Sequence, residues 1–237
     1  MLSRPLSVLI GMLVAGPAFA AEPVTLSLDL GVVSDYRFRG VSYSGKDPAV
    51  QGEISAEHSS GAHAGLWAST ISETAGGAHL ELDLEAGWLF EASEALSLDL
   101  GATYYLYPGD SAANYAEPAL TAFHKFGSAT ARLGLTYIPK QGATRDATGR
   151  KRDNHYAFLG LELPLKGTPV TLAGQIGYER GAFDLSPRGG KWDWQLGGAV
   201  EVKGISLGLS YVDAAVRGEG EENATDPTVV GSLLFGF

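Results

Sequence analysis

The sequence predicts an all-β fold, a transmembrane antiparallel up-and-down β-barrel of about twelve strands. Three observations predict it. Apolar and polar residues alternate with a period of two along almost the whole chain. The alternating segments are about 10 residues long, which is the length that crosses a membrane when a strand is tilted. The connections between them alternate between long loops and tight turns, as an even-stranded barrel requires.

The composition narrows the class of protein further. The 237 residues include no cysteine, so disulfide frameworks and thiolate metal sites are excluded. Glycine occurs 32 times without a collagen period, and with 45% hydrophobic residues this favours β structure over disorder. The net charge of −10 disfavours nucleic acid as a partner, because phosphate contacts need clustered Lys and Arg.

The N-terminus has the pattern of a cleaved secretory signal peptide over residues 1–20. Arg4 supplies the positive charge, residues 6–16 form an apolar run, and residues 18–20 read Ala-Phe-Ala, a small-x-small cleavage site. We therefore expect secretion across the inner membrane of a Gram-negative bacterium. The barrel domain would be residues 21–237, and it would lie in the outer membrane.

The first strands are predicted by alternation alone. From Val24 to Val32 the even positions are apolar, and the same parity continues to Phe38, so the first strand is expected to reach that residue. In the segment 115–126, Pro118 and Phe123 disturb the pattern. The next five strands are predicted over 48–57, 62–71, 78–90, 95–107 and 115–126.

The second half of the chain repeats the alternation. Its strands are predicted over 129–138, 153–164, 169–180, 190–202, 204–213 and 227–237. The long connections fall at 39–47, 72–77, 108–114, 139–152, 181–189 and 214–226. No segment indicates a second domain.

Charged residues occupy the polar face of most strands, where a dry soluble core would not tolerate them. They suit a water-filled lumen, and charges that line a pore set its ion preference. Because carboxylates outnumber arginines, we expect an acidic lumen with weak cation preference, unless the ion pairs brace a closed lumen. The expected lumen-lining residues are Arg37, Arg39, Glu53, Glu57, Glu81, Asp83, Glu85, Asp99, Glu117, Arg132, Glu162, Glu179, Asp193 and Glu201.

Aromatic residues on the apolar face sort by strand direction into two belts, as in membrane barrels. The belt at the long-loop end is expected to contain Tyr36, Phe38, Tyr104, Tyr137, Tyr178, Trp192, Trp194 and Tyr211. The opposite belt is expected to contain Trp88, Phe90, Phe126, Phe235 and Phe237.

Enzymatic and metal sites receive little support from the sequence. We expect no catalytic residues, no cofactor and no metal ion, because the five histidines are scattered over different strands. Two alternatives stay open. His79 and Glu81 share a strand face and would bind a cation weakly, and His124 or His155 on the lipid-facing parity would suit a lipid hydrolase.

The loop 139–153 is basic. It contains Lys140, Arg145, Arg150, Lys151 and Arg152 against Asp146 and Asp153, whereas the loop 213–226 is acidic. The basic loop would contact lipopolysaccharide phosphates, fold over the acidic pore, or stay solvated. Membrane lipids and lipopolysaccharide are therefore expected partners.

The segments Val33–Ser42 and Asp47–Gly52 resemble the opening of the TorF family of proteobacterial porin-type proteins. The segment Leu80–Leu84, and Tyr211 with its neighbours, are also similar to that family, and the resemblance covers residues 24–237. It implies an outer-membrane porin for passive diffusion of small solutes, without catalytic residues. The terminal Phe237, with apolar residues at alternate positions before it, resembles the signal that barrel-assembly machinery reads. Alternatives to the porin are a closed structural or adhesive barrel and, less favoured, a lipid hydrolase.

Overall fold

The computed structural model describes residues 24–145, 149–185, 189–216 and 222–237. The predicted signal peptide, residues 1–20, lies outside the described residues. So do Asp146 of the basic loop and residues 217–221 of the acidic one.

Twelve long strands form one closed antiparallel barrel, which confirms the predicted fold class. They are β1 (Val24–Val33), β4 (Ala49–His58), β5 (Ala62–Thr70), β6 (Leu80–Glu91), β7 (Leu96–Leu106), β8 (Tyr115–Phe126), β9 (Ala129–Ile138), β10 (Asn154–Pro164), β11 (Val170–Gly181), β12 (Lys191–Val202), β13 (Ile205–Val216) and β14 (Thr228–Gly236). A separate hairpin consists of β2 (Arg37–Phe38) and β3 (Val41–Ser42).

Each barrel strand pairs with the barrel strand that precedes or follows it in the chain, and β1 closes the barrel against β14. The last residue also joins this seam, because the backbone N–H of Phe237 donates to the carbonyl of Leu28 at 2.9 Å. The long loops lie at one end of the barrel and the tight turns at the other, as the sequence predicts. We call these the long-loop end and the short-turn end.

The two faces of the barrel differ as the alternation predicts. Outward-facing Leu84, Leu133 and Leu207 are exposed, whereas inward-facing Glu81 and Asp83 of β6 are fully buried. Successive side chains of a strand point to opposite faces, so each strand contributes apolar residues to the outside and polar residues to the lumen. An apolar surface that continues around twelve strands is far larger than a soluble monomer exposes, and suits a lipid environment.

The predicted continuation of the first strand to Phe38 is wrong. Strand β1 ends at Val33, and the chain then turns into the lumen before it returns to the wall at Ala49. Apolar and polar residues still alternate past Val33, because the β2–β3 hairpin also has one apolar and one polar face. Tyr36 and Phe38 are consequently 2% and 7% exposed, inside the barrel rather than on its lipid-facing surface.

The remaining differences are small. Strand β8 is continuous through Pro118, which lies opposite Ala102, and Phe123 takes an inward position opposite Arg132. The long loops contain a 3₁₀ turn, Ser111–Ala113, and one helical turn, α1 (Glu222–Thr225). None of the described helical segments has the length and apolar character needed to cross a membrane.

Candidate functional site

Residues 34–48, which we call the inward segment, cross the lumen near the long-loop end. Its β2–β3 hairpin turns at Arg39 and Gly40, with φ values of +50° and +80°. Two successive positive φ values belong to a type I′ hairpin turn, which glycine tolerates and arginine rarely adopts. A Cβ on Gly40 would lie 2.6 Å from Cβ of Ala214, so the hairpin tip touches the barrel wall at β13.

The turn delivers Arg39 into an ion-pair network on the far side of the barrel. Its guanidinium donates to Glu179 of β11 at 2.8 Å and also to Glu117 of β8. Lys191 of β12 donates to Glu179 at 2.8 Å and to the carbonyl oxygen of Arg39 at 2.9 Å. Asn154 donates a further hydrogen bond to Glu179 at 2.9 Å. The inward segment is thus bonded to three strands of the barrel wall.

Arg39 is almost completely buried, and the adjacent carboxylates of Glu117 and Glu179 balance its charge. Burial by itself would lower the pKa of the Arg39 guanidinium, but the carboxylates of Glu117 and Glu179 outweigh it and raise that pKa well above its ordinary value. The guanidinium also stacks on two aromatic rings, 4.2 Å from the ring centre of Tyr156 and 4.6 Å from that of Phe38. The positive charge is therefore permanent and fully enclosed.

A second ion pair fixes the shape of the inward segment itself. Arg37 donates to Asp35 at 2.6 Å, and the hydroxyls of Ser42 and Ser44 donate to the other carboxylate oxygen of Asp35. Arg37 also donates to the backbone carbonyl of Asp226 at 2.8 Å, near the start of β14. The segment is thereby attached at both sides of the lumen.

Aromatic side chains fill the space around the inward segment. The ring of Tyr36 contacts Trp67 at 5.2 Å between centroids, and Phe38 contacts Tyr105 at 5.9 Å. Tyr105 stacks in turn on Tyr115 at 4.3 Å. These residues belong to one buried cluster, so the long-loop half of the lumen is packed like a protein core.

The short-turn half of the lumen is different and holds a group of partly exposed carboxylates. Two of the few basic groups there are paired with them: His63 with Asp99 at 2.8 Å and Arg132 with Glu162 at 3.4 Å. We call this group the acidic vestibule. It comprises Asp29, Glu53, Glu57, Glu85, Asp99, Glu162 and Glu201.

A small cavity lies where the vestibule meets the inward segment. Its lining includes Phe38, Glu85, Asp99 and Glu117, and its volume is about 90 Å³. Because one water needs roughly 10–15 Å³ of such a cavity, there is space for several waters or a hydrated ion. A sugar-sized solute would need the inward segment to move.

The fourteen predicted lumen residues all lie inside the barrel, but they fall into two groups. Those of the vestibule are partly exposed, namely Glu53, Glu57, Glu85, Asp99, Glu162 and Glu201. The others are buried, namely Arg37, Arg39, Glu81, Asp83, Glu117, Arg132, Glu179 and Asp193. Arg37 and Arg39 reach the lumen from the inward segment, not from the wall as expected. Glu81 and Asp83 are enclosed, and Tyr107 donates a hydrogen bond to Glu81 at 3.2 Å.

The predicted aromatic belts are mostly on the outer surface. Exposed outward positions are held by Trp88, Phe90, Tyr104, Phe126, Tyr137, Trp192, Tyr211, Phe235 and Phe237, while Tyr178 and Trp194 are half-buried there. Only Tyr36 and Phe38 are displaced, because they belong to the inward segment and not to β1.

The structure does not bring a second site residue to the histidines of the two alternatives, the weak cation site and the lipid hydrolase. His79 is exposed before the start of β6 while Glu81 is fully buried, so the two do not share a site. His155 faces outward between its cross-strand neighbours Tyr137 and Arg180, and His124 lies between Leu96 and Ala131. None of these four neighbours is a serine. Within the described ranges, no group of three or more carboxylate and histidine side chains is arranged to hold a metal ion.

Several residues of the site were not singled out from the sequence. Trp67, Tyr105 and Tyr156 occupy the polar parity of their strands, and Lys191 begins β12 on the lumen side. The signal was available in the parity, since an aromatic residue in phase with Glu or Asp points inward. Inward aromatic residues in a barrel indicate that part of the lumen is filled.

Solved structures of outer-membrane channels share this architecture. The NanC porin superposes with a TM-score of 0.61 at 11% identity, covering 90% of this chain and 98% of that one. The KdgM porin, solved in complex with disordered oligogalacturonate, gives 0.60 at 9% identity, covering 89% and 98%. An outer-membrane channel from Pseudomonas putida F1 gives 0.50 at 12% identity, covering 91% and 96%. At these identities the likeness concerns the fold.

No curated protein matches the sequence. The family model named Gcw_chp, described as a bacterial protein of unknown function, matches residues 17–233, and the chain therefore belongs to the Gcw_chp family.

Proposed function

We propose that this barrel is an outer-membrane diffusion channel for small ions and solutes, with an acidic vestibule and a constriction formed by the inward segment. The resemblance of residues 33–52 to the TorF family, and the likeness of the fold to porins, support this reading. The observation that carries it is the uneven lumen, which is polar and accessible at the short-turn end and narrowed by a loop from inside.

The charge distribution supports a preference for cations. In the long-loop half, Arg39 and Lys191 are bonded to Glu117 and Glu179, so the positive charges there are compensated. In the vestibule, seven carboxylates outnumber the three basic groups that the described strands place on the same face, namely Arg132, His63 and Lys125. A concave surface of one charge sign concentrates counter-ions, and charge rings in a narrow pore set selectivity.

The size of the constriction supports small permeants. The cavity of about 90 Å³ accepts waters or an ion, and the aromatic cluster of Tyr36, Phe38, Trp67 and Tyr105 leaves little further room. Passage of a larger solute would require release of the Arg39 network. The channel is therefore expected to have low conductance in its resting state.

The test is a planar-bilayer recording with purified protein in a salt gradient. We expect small unitary steps and a reversal potential on the cation side. The combined variant Glu53→Gln, Glu57→Gln, Glu85→Gln should move the reversal potential toward zero. Glu94→Gln, which changes an exposed glutamate of the β6–β7 turn, serves as the control and should leave it unchanged. An anion-selective wild-type channel would contradict the proposal.

One observation favours a second candidate, a closed structural barrel. The inward segment and its aromatic cluster fill the long-loop half of the lumen, and the ion pairs that hold them are buried. Absence of any conductance, both in the wild type and in a variant without Arg39, would support this candidate over the channel.

A further inference from the structure

The outer surface of the barrel has an open groove that extends from Leu100 of β7 to Arg180 of β11, with a volume of about 690 Å³. It forms because the outward residues Pro118 and Ala157 are small. The residues around them are large: Leu120 follows Pro118 on the same face of β8, Leu135 lies directly opposite Ala157, and Tyr137 lies directly opposite His155, the next outward residue of β10. These walls are apolar, and the groove lies in the lipid-facing band next to the aromatic belt of the long-loop end. Its shape and position suit an acyl chain.

Two polar groups border the groove on its long-loop side. His155 and Arg180 are direct cross-strand partners on the outward face, and both line the groove. The ring of His155 packs against that of Tyr137 at a tilt, with ring centres 4.9 Å apart, which holds the imidazole beside the apolar wall. A guanidinium at the end of a lipid-facing strand is placed at the depth of head-group phosphates, which arginine binds in bidentate fashion.

The basic loop rises directly above this border. It leaves β9 one residue after Tyr137 and enters β10 one residue before His155. Its base is fixed, because the side-chain amide of Gln141 both accepts from and donates to the backbone of Ala116 at 2.9 and 2.8 Å. Arg145 and Lys151 form an isolated antiparallel bridge.

The described basic side chains of this loop are accessible to solvent. Lys140, Arg145, Arg150 and Lys151 are exposed, and Arg152 is half-buried. With Arg180, they form a basic rim above an apolar groove.

We propose that this groove and rim are a docking site for a phosphorylated multi-acyl lipid of the outer leaflet, the lipopolysaccharide type. The apolar groove would hold an acyl chain, Arg180 and His155 would bind one phosphate, and the described basic residues of the loop, such as Lys140 and Lys151, would bind a second. Charge complementarity selects this occupant, because a neutral lipid would bring no phosphate to the basic rim and a soluble anion would not fill the apolar groove.

The test is lipid retention by the purified full-length barrel, measured by native mass spectrometry with three probes: diphosphoryl lipid A, the same lipid without phosphates, and phosphatidylglycerol. We expect the diphosphoryl lipid to be retained in preference to the other two. Arg180→Gln should weaken its binding roughly ten-fold, the loss expected for one charge-assisted hydrogen bond.

Two pairs of variants separate the groove from general effects. Ala157→Phe should weaken binding by filling the groove, whereas Ala86→Phe on the outward face of β6 should not. Lys166→Gln, at the short-turn end, is the charge-matched control for Arg180→Gln. The electrophoretic heat shift verifies the folded barrel for each variant.

Three results would overturn the proposal: equal retention of the phosphorylated and dephosphorylated lipids, equal retention of phosphatidylglycerol, or unchanged binding in both Arg180→Gln and Ala157→Phe. The readout does not involve conductance, so this inference and the channel proposal can fail independently.

Discussion

Removal of the Arg39 charge is the most direct test of how the lumen is closed. Arg39→Met keeps the length and apolar stem of the side chain while it removes the guanidinium that joins the inward segment to the wall. Glu179 keeps Lys191 and Asn154 as partners, but Glu117 loses its contact with Arg39. We expect the variant to release the inward segment and increase the conductance of the channel.

The magnitude follows from the burial of the partners. The side chains of Arg39, Glu117 and Glu179 are 2%, 4% and 2% exposed, and removing one partner of a buried ion pair costs about 3–5 kcal/mol. A change of this size shifts the equilibrium between the bound and released segment by roughly 10²–10⁴-fold. Lys46→Met removes the exposed Lys46–Asp226 pair of the same segment, and should cost at most about 1 kcal/mol.

Two assays read the effect together. Single-channel recording should show larger or more frequent openings for Arg39→Met than for the wild type and Lys46→Met. Guanidinium unfolding in micelles should show a lower midpoint for Arg39→Met, partly restored in the double variant with Glu117→Gln because the uncompensated carboxylate is gone. Unchanged conductance and stability in Arg39→Met would refute the conclusion that Arg39 holds the inward segment against the barrel wall.

Three further predictions concern the wall, the seam and the loops. Leu133→Arg on the lipid face should cost about 2–4 kcal/mol in a bilayer unfolding assay, whereas Ser206→Ala on the lumen face should cost far less. Deletion of Phe237 should lower the yield of barrel in the outer membrane more than it lowers the stability of the finished barrel, because the residue contributes two backbone bonds to Leu28 and little packing; a normal yield would count against this. Burial and the nearby Glu81 raise the pKa of Tyr107, which lies just beyond β7, so the folded barrel favours the neutral phenol. The stability that this phenol contributes should be lost progressively as the pH rises above about 10, the ordinary pKa of tyrosine in the unfolded chain. The Tyr107→Phe variant should lose less stability over this range.

The barrel wall was predictable from the sequence because a single physical rule governs it. Lipid outside and polar groups inside force alternation with period two. Leu82 and Leu84 could therefore be assigned to the outer face of their strand, and Glu81 and Asp83 to its inner face, without a structure. The number of strands and the sorting of loops by length followed from the same pattern.

The inward segment could not be predicted by this rule, because alternation does not show whether a residue belongs to the barrel wall or to a segment inside the lumen. Tyr36 and Phe38 keep the parity of β1, yet a turn at the end of β1 carries them into the lumen. The left-handed turn at Arg39 and Gly40 is the local signal, and Gly alone was too weak to reveal it.

Pairing across the lumen was also hidden from the sequence. Glu117, Glu179 and Lys191 lie on different strands, and only the closure of the barrel brings them around Arg39. Parity could place each of them inside, but not at the same depth. The division between buried ion pairs and an accessible vestibule therefore needed the structure.

The contacts of the hairpin tip also constrain the order in which the protein is built. Arg39 lies 78 residues from Glu117, 140 from Glu179 and 152 from Lys191 along the chain. Contacts so distant in sequence are costly in chain entropy and form late in folding. The hairpin at the beginning of the barrel therefore has no complete binding site until β12 has taken its place. A nascent barrel should remain open inside for most of its assembly, and should become narrow only when it is nearly finished.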